Sequence, residues 1–270
     1  MNPRPIPSHV LNPLLELILP FILSFGIVIL ITMLAERFGT KIGGIAGTLP
    51  TTIVIAFLFI ALNRGISFAT HSVSIAVAEM AINVLFLATF AALSTRSLPT
   101  ALIGSFSLWT FFTVLLYIAD FTAILIPIVL FAAAVAGCLW FLEKHLHVAS
   151  QPQICMKYTY GKILLRGLLA GFVIAAAVSL SNLSIALSGI LAMFPVIFLS
   201  TMLISYLEHG PLFTKALAKS LIFGSPSVVA YGAAIYFLYP LAGILTGTIG
   251  AVIISVAVSL VLFLLRSSLQ

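Results

Sequence analysis

Residues 43–52, "GGIAGTLPTT", open an apolar run long enough to cross a membrane with three glycines and a proline, residue types that disfavour a helix interior. Residues 188–197, "SGILAMFPVI", do nearly the same. A constant offset of 145 residues sets Gly44-Ile45 on Gly189-Ile190, Pro50 on Pro195, Gly65 on Gly210 and Phe68 on Phe213. Upstream, Gly26, Val28 and Ile29 fall on Gly171, Val173 and Ile174 with no gap. Leu58 with Leu203 and Leu62 with Leu207 weigh little in leucine-rich helices, but the glycines and prolines weigh more. The chain reads as an internal repeat.

Around these stretches the sequence has almost no water-compatible surface. Of its 270 residues 62% are hydrophobic and 7% charged, where a soluble domain carries about 25% charged residues. Apolar runs of about 20 residues recur along the chain, each the length of a transmembrane helix. The expected fold is therefore an all-α polytopic membrane protein. Polar and Gly/Pro punctuation divides it into nine spans, at roughly 14–35, 42–62, 66–95, 100–119, 122–142, 163–183, 186–207, 212–239 and 241–265. The first run, from Leu14, is too long for a signal-peptide core and ends in "MLAERFG", so the N-terminus is expected to be retained. Cys138 and Cys155 form neither a disulfide framework nor a metal pattern.

Nine spans sort the basic residues by side. Arg37, Lys41, Arg96, Lys144, Lys157, Lys162, Arg166, Lys215, Lys219 and Arg266 fall on one side, and Arg4 and Arg64 on the other. Cytoplasmic loops are enriched in Lys and Arg, so the N-terminus is expected outside and the C-terminus in the cytoplasm of an inner membrane. The net charge of +6 is scattered over helix ends, which speaks for topology and against a nucleic-acid partner. The repeat maps span 2 onto span 7, an odd number of crossings away, so the copies face opposite ways. The expected architecture is 4+1+4: repeat 1 over about 14–119, a linking helix at 122–142, a cytoplasmic loop at 143–162, and repeat 2 over about 163–265. Inverted repeats of this kind are typical of secondary transporters.

The segment 188–238 contains Gly189, Phe194-Pro195, "LEHG" (207–210) and "LIFG" (221–224). In these features it resembles the GlpM-like family of small bacterial inner-membrane proteins, about four spans long. The resemblance covers the second half directly and the first half only through the repeat, where Leu49-Pro50 and "LNRG" replace Phe-Pro and "LEHG". It implies a four-span unit, duplicated and inverted, and is nearly silent on chemistry.

Pro50 and Pro195 each lie about eight residues into a span, where proline removes a backbone donor and kinks the helix. Thr48, Thr51 and Thr52 stand beside the first break to satisfy what it frees. Gly43, Gly44 and Gly47, with Ser188, Gly189 and Ala192 in the second copy, make small-residue faces for close helix packing. Packing notches alone would also account for them. Glu79 is the sharpest candidate, because a carboxylate at mid-span costs about 2.5 kcal/mol or more and usually faces an interior or a water path. Ser72 and Asn83 share its helix face. The competing role is a hydrogen-bonded lock between helices. His71, near the outer end of the same span, is a weaker candidate for a proton path. In the second copy Gly224 stands at the Glu79 position, and Ser225-Pro226-Ser227 should break span 8 and expose carbonyls and hydroxyls. Trp109 and Trp140 need no special role.

No phosphate loop, metal-ligand spacing or Ser/His/Asp set is readable, so an enzyme is the weakest class and no cofactor is expected. The expected function is a secondary transporter or permease for a small solute or ion, proton-coupled through Glu79. The alternatives are a non-transporting subunit assisting envelope or polysaccharide assembly, and a small ion channel. The expected partners are the bilayer, the small solute or ion, and a second copy of the chain if the protein is a homo-oligomer.

Overall fold

In the computed structural model the backbone is described for residues 13–46, 50–119, 121–148 and 159–268, and side chains for 17–33, 50–119, 121–148 and 159–265. Among the described residues the chain is helical throughout, in the order α1 (Pro13–Ala46), α2 (Thr51–Arg64), α3 (Ile66–Leu93), α4 (Leu98–Ala119), α5 (Leu125–Lys144), α6 (Tyr160–Leu180), α7 (Ile185–Ala192), α8 (Val196–Gly224), α9 (Pro226–Ala242) and α10 (Ile244–Ser268). Six segments are long and apolar enough to cross a membrane, the pattern of a multi-pass membrane protein: Ile66–Leu93, Leu98–Ala119, Leu125–Lys144, Tyr160–Leu180, Ile185–Ala242 and Ile244–Leu265.

The six are not equally enclosed. In its most apolar window α3 is 83% buried, against 17% for α4 and 22% for α5. A helix apolar on every side belongs inside a bundle, and α3 accordingly packs against α2, α4, α5, α7, α8 and α9. Its close fit to α9 depends on Gly232, where a Cβ would come within 2.9 Å of Val77 Cγ2. The pair α1 and α6 meets through glycine as well. A Cβ at Gly171 would stand 2.9 Å from the Phe21 ring, and one at Gly167 3.0 Å from the Phe25 ring and from Ile29 Cγ1. Contacts that climb α1 therefore descend α6, and the two helices run antiparallel.

The paired breaks have matching backbone geometry. Pro50 lies at φ −78°, ψ 48° and Pro195 at φ −76°, ψ 37°. Each accepts the first bond of its helix, from Val54 N at 3.1 Å and Leu199 N at 2.7 Å. The 14-residue α2 ends at Gly65 (φ 86°, ψ 170°), and the limb of α8 over 196–209 ends at Gly210 (φ 78°, ψ −179°), a region of backbone space open essentially to glycine alone. Across each corner the side chain one position before the glycine meets an aromatic ring three positions after it. Arg64 Cζ lies 5.3 Å from the Phe68 ring centre, and the His209 ring 4.7 Å from that of Phe213.

One boundary differs from the sequence expectation. The expected loop at 36–41 is helical, since α1 runs unbroken to Ala46. At the offset positions Ser181–Ser184 the chain does break, because Ser181 Oγ turns back to Val178 O at 2.6 Å and Ser184 Oγ accepts Leu187 N to start α7. Residues 36–39, Glu-Arg-Phe-Gly, offer no such capping side chain. The break expected in span 8 falls at Ser225, where Pro226 begins α9 as a first-turn proline.

Candidate functional site

The face of α3 that carries Glu79 packs against α4 and α7 through Ile75, Ala78, Ile82, Leu116, Ala186 and Ile190. Helical spacing brings Glu79 and Asn83 one above the other on α3, and Trp109 and Thr113 likewise on α4. The turn at 94–97 folds α4 back along α3, so positions equidistant from it meet. Thr113 Oγ1 donates to Glu79, 3.0 Å from Oε1 and 3.2 Å from Oε2. One turn along, Trp109 Nε1 donates to Asn83 Oδ1 at 3.1 Å.

Asn83 also reaches the second half. Its Nδ2 donates at 2.7 Å to Met193 O, the carbonyl just past the last residue of α7, in the joint opened by Pro195. A carbonyl freed by a helix break inside a membrane needs such a donor. The Phe194 ring stands edge-on to Trp109, 5.2 Å between centres. Two turns back, Ser72 Oγ donates to Ser188 Oγ at 3.2 Å, and a Cβ on Gly189 would collide with the Ser72 carbonyl. Glu79, Ser72 and Ser188 are wholly enclosed, and Asn83 nearly so. The ion pairs seen among the described residues, Lys162–Glu208 and Lys219–Glu143, do not involve Glu79. The donor on Glu79 is thus a neutral hydroxyl.

Of the residues singled out from sequence, Ser72, Glu79, Asn83, Ser188, Gly189 and the Pro195 joint come together here. Ala192 is buried beside them, and His71 is half-buried two turns from Glu79. Pro50 is buried, but Thr51 and Thr52 are half-buried and, among the described residues, make no side-chain hydrogen bond; the role expected of them is not seen. Gly47 and Thr48 lie outside the described residues, and for Gly43 and Gly44 only the helical backbone of α1 is described. The expectation for Ser225-Pro226-Ser227 needs correction. The break is there, but its carbonyls are closed off: Ser225 Oγ donates to Ile222 O at 2.7 Å, Ser227 Oγ to Gly224 O at 2.9 Å, and Ser255 Oγ to Ser227 O at 2.7 Å. Serine is short enough to bond its own preceding turn, so this break presents little open backbone.

Sequence reasoning missed Trp109, Thr113 and Phe194. The signal was present in the short turn between spans 3 and 4, which pairs 79 with 113 and 83 with 109. No protein-family model, no curated protein and no solved structure matches this chain.

Proposed function

We propose that the chain is a secondary transporter or permease for a small solute or ion, embedded in the inner membrane, with Glu79 as the residue that binds the cargo or its coupling ion. The observation that carries the reading is an acid wholly enclosed in α3, held by a neutral hydroxyl and set one helical turn from the Asn83 contact to a broken helix. A charged carboxylate there is costly, so a proton or a cation arriving from the medium is what balances it. Asn83 then links that position to the α7–α8 joint, a hinge for opening a path.

The architecture proposed is 4+1+4, two inverted copies of a GlpM-like four-span unit around a linking helix. Matching dihedrals at Pro50 and Pro195 and at Gly65 and Gly210, and the antiparallel approach of α1 and α6, support it. So do polar contacts between helices. Arg64 with Asn182, Lys162 with Glu208 and Lys219 with Glu143 each join residues that the basic-residue pattern puts on one side, with the N-terminus outside and the C-terminus in the cytoplasm.

The test is flux through the purified protein in liposomes, with an imposed proton gradient and a panel of labelled small solutes and ions. Wild-type protein should move at least one of them, and Glu79→Gln should abolish that movement while remaining monodisperse. Unitary currents independent of the gradient would replace the reading with a channel. Silence across the whole panel would leave an assembly subunit.

A further inference from the structure

We infer that a second copy of this chain docks on the outward face of α4, in a parallel pair whose seam is Thr100, Ile103, Ser107, Thr110, Val114 and Tyr117. The inference does not depend on what Glu79 binds.

The inner face of α4 is occupied, since Ala101, Ser105, Thr113 and Leu116 are buried against the bundle. The seam lies on the opposite side, and all six of its side chains are exposed. Its polarity is out of place there. Ser107 and Thr110 stand near the middle of the 22-residue α4. Among the described residues, every other exposed serine or threonine lies between helices or within the first three residues of one. The other peripheral helices turn their hydroxyls inward: α10 buries Thr248, Ser255 and Ser259, α1 buries Ser24 and Thr32, and α5 carries none. Nor do the two hydroxyls of α4 bond their own helix. Ser105 donates to Ala101 O at 2.6 Å and Thr32 to Val28 O at 2.7 Å, as a hydroxyl in a helix can, whereas neither Ser107 nor Thr110 makes a side-chain hydrogen bond. An unbonded hydroxyl facing hydrocarbon is unfavourable, and in membranes hydroxyls bond across from one helix to another.

The stripe fits its own image. Its positions alternate by three and four residues, the repeat on which two helices pack at a shallow crossing. Copies inserted the same way round pair about a two-fold axis along the membrane normal, so the two α4 helices run parallel and each position meets itself. A hydroxyl both donates and accepts. Ser107 of one copy therefore satisfies Ser107 of the other, and Thr110 satisfies Thr110. The seam carries no charge and no group that only donates, so nothing in it repels its counterpart, and the small Ser107 at its centre lets the backbones approach. The helix that holds Glu79 through Thr113 and Asn83 through Trp109 is then backed by a second copy of itself.

The experiment uses the full-length chain, with Cys138 and Cys155 replaced by serine, in liposomes over a range of protein-to-lipid ratios. Energy transfer between labelled copies should report a monomer–dimer equilibrium. Ile103→Cys and Val114→Cys lie on the seam, keep its hydroxyls and should each give disulfide-linked dimers on mild oxidation. Val129→Cys on α5 and Ile253→Cys on α10, also exposed, should not. The double variant Ser107→Ala, Thr110→Val removes only exposed hydroxyls without an intramolecular bond, so it should stay folded and dimerise about tenfold more weakly. A chain that is monomeric at every ratio would overturn the inference. So would dimers that link through Val129→Cys or Ile253→Cys in place of the seam, or a double variant that dimerises as tightly as its parent.

Discussion

Asn83 shows how one side chain can hold three helices at once. Its amide accepts from α4 and donates to the joint between α7 and α8. Asn83→Leu keeps the volume but strands both the Met193 carbonyl and the Trp109 N–H, at a cost of about 1–3 kcal/mol for each buried group. Trp109→Phe releases only the amide oxygen. Thermal unfolding in detergent should therefore show a larger loss for Asn83→Leu than for Trp109→Phe, and equal losses would mean that the Met193 contact adds nothing. At this scale the acid and the amide were legible from sequence, because polar groups in a 28-residue apolar helix stand out against their surroundings. Trp109 was not, since an aromatic residue in a membrane helix has an ordinary explanation at the interface, and only its partner reveals otherwise.

At the scale of helices, the breaks carry the design. Pro50, Gly65, Pro195 and Gly210 could be read directly, since proline and glycine act on the backbone whatever surrounds them. The continuity of α1 through 36–41 could not, because a polar run reads as a loop whether or not a cap ends the helix. Gly65 and Gly210 sit where any side chain is strained, although no heavy atom crowds either site. Gly65→Ala or Gly210→Ala should cost about 1–3 kcal/mol through the backbone alone. Gly26, within α1 and likewise uncrowded, is the control: Gly26→Ala should gain about 0.5–1 kcal/mol. Denaturation midpoints compare the three, and a harmless Gly65→Ala would contradict the strained corner.

The whole molecule makes a prediction that no single helix does. If the two units are inverted, matched positions just past the glycine corners face opposite compartments. Ser67 and Leu212 are such a pair, and both are exposed. In a chain with Cys138 and Cys155 replaced by serine, Ser67→Cys should react with an impermeant maleimide on intact cells, and Leu212→Cys only once the cells are opened. Labelling of both from outside would defeat the inversion. The enclosure of α3 has a consequence for biosynthesis too. This helix leaves the ribosome with Glu79, Asn83 and Ser72 uncovered, long before α7 and α9 exist to surround it. Its neighbour α4 follows after a four-residue turn and carries Thr113 and Trp109 at matching heights. The two can enter the bilayer as a hairpin that has already masked its own acid, so removing the α4 hydroxyl or indole burdens insertion as well as the finished protein.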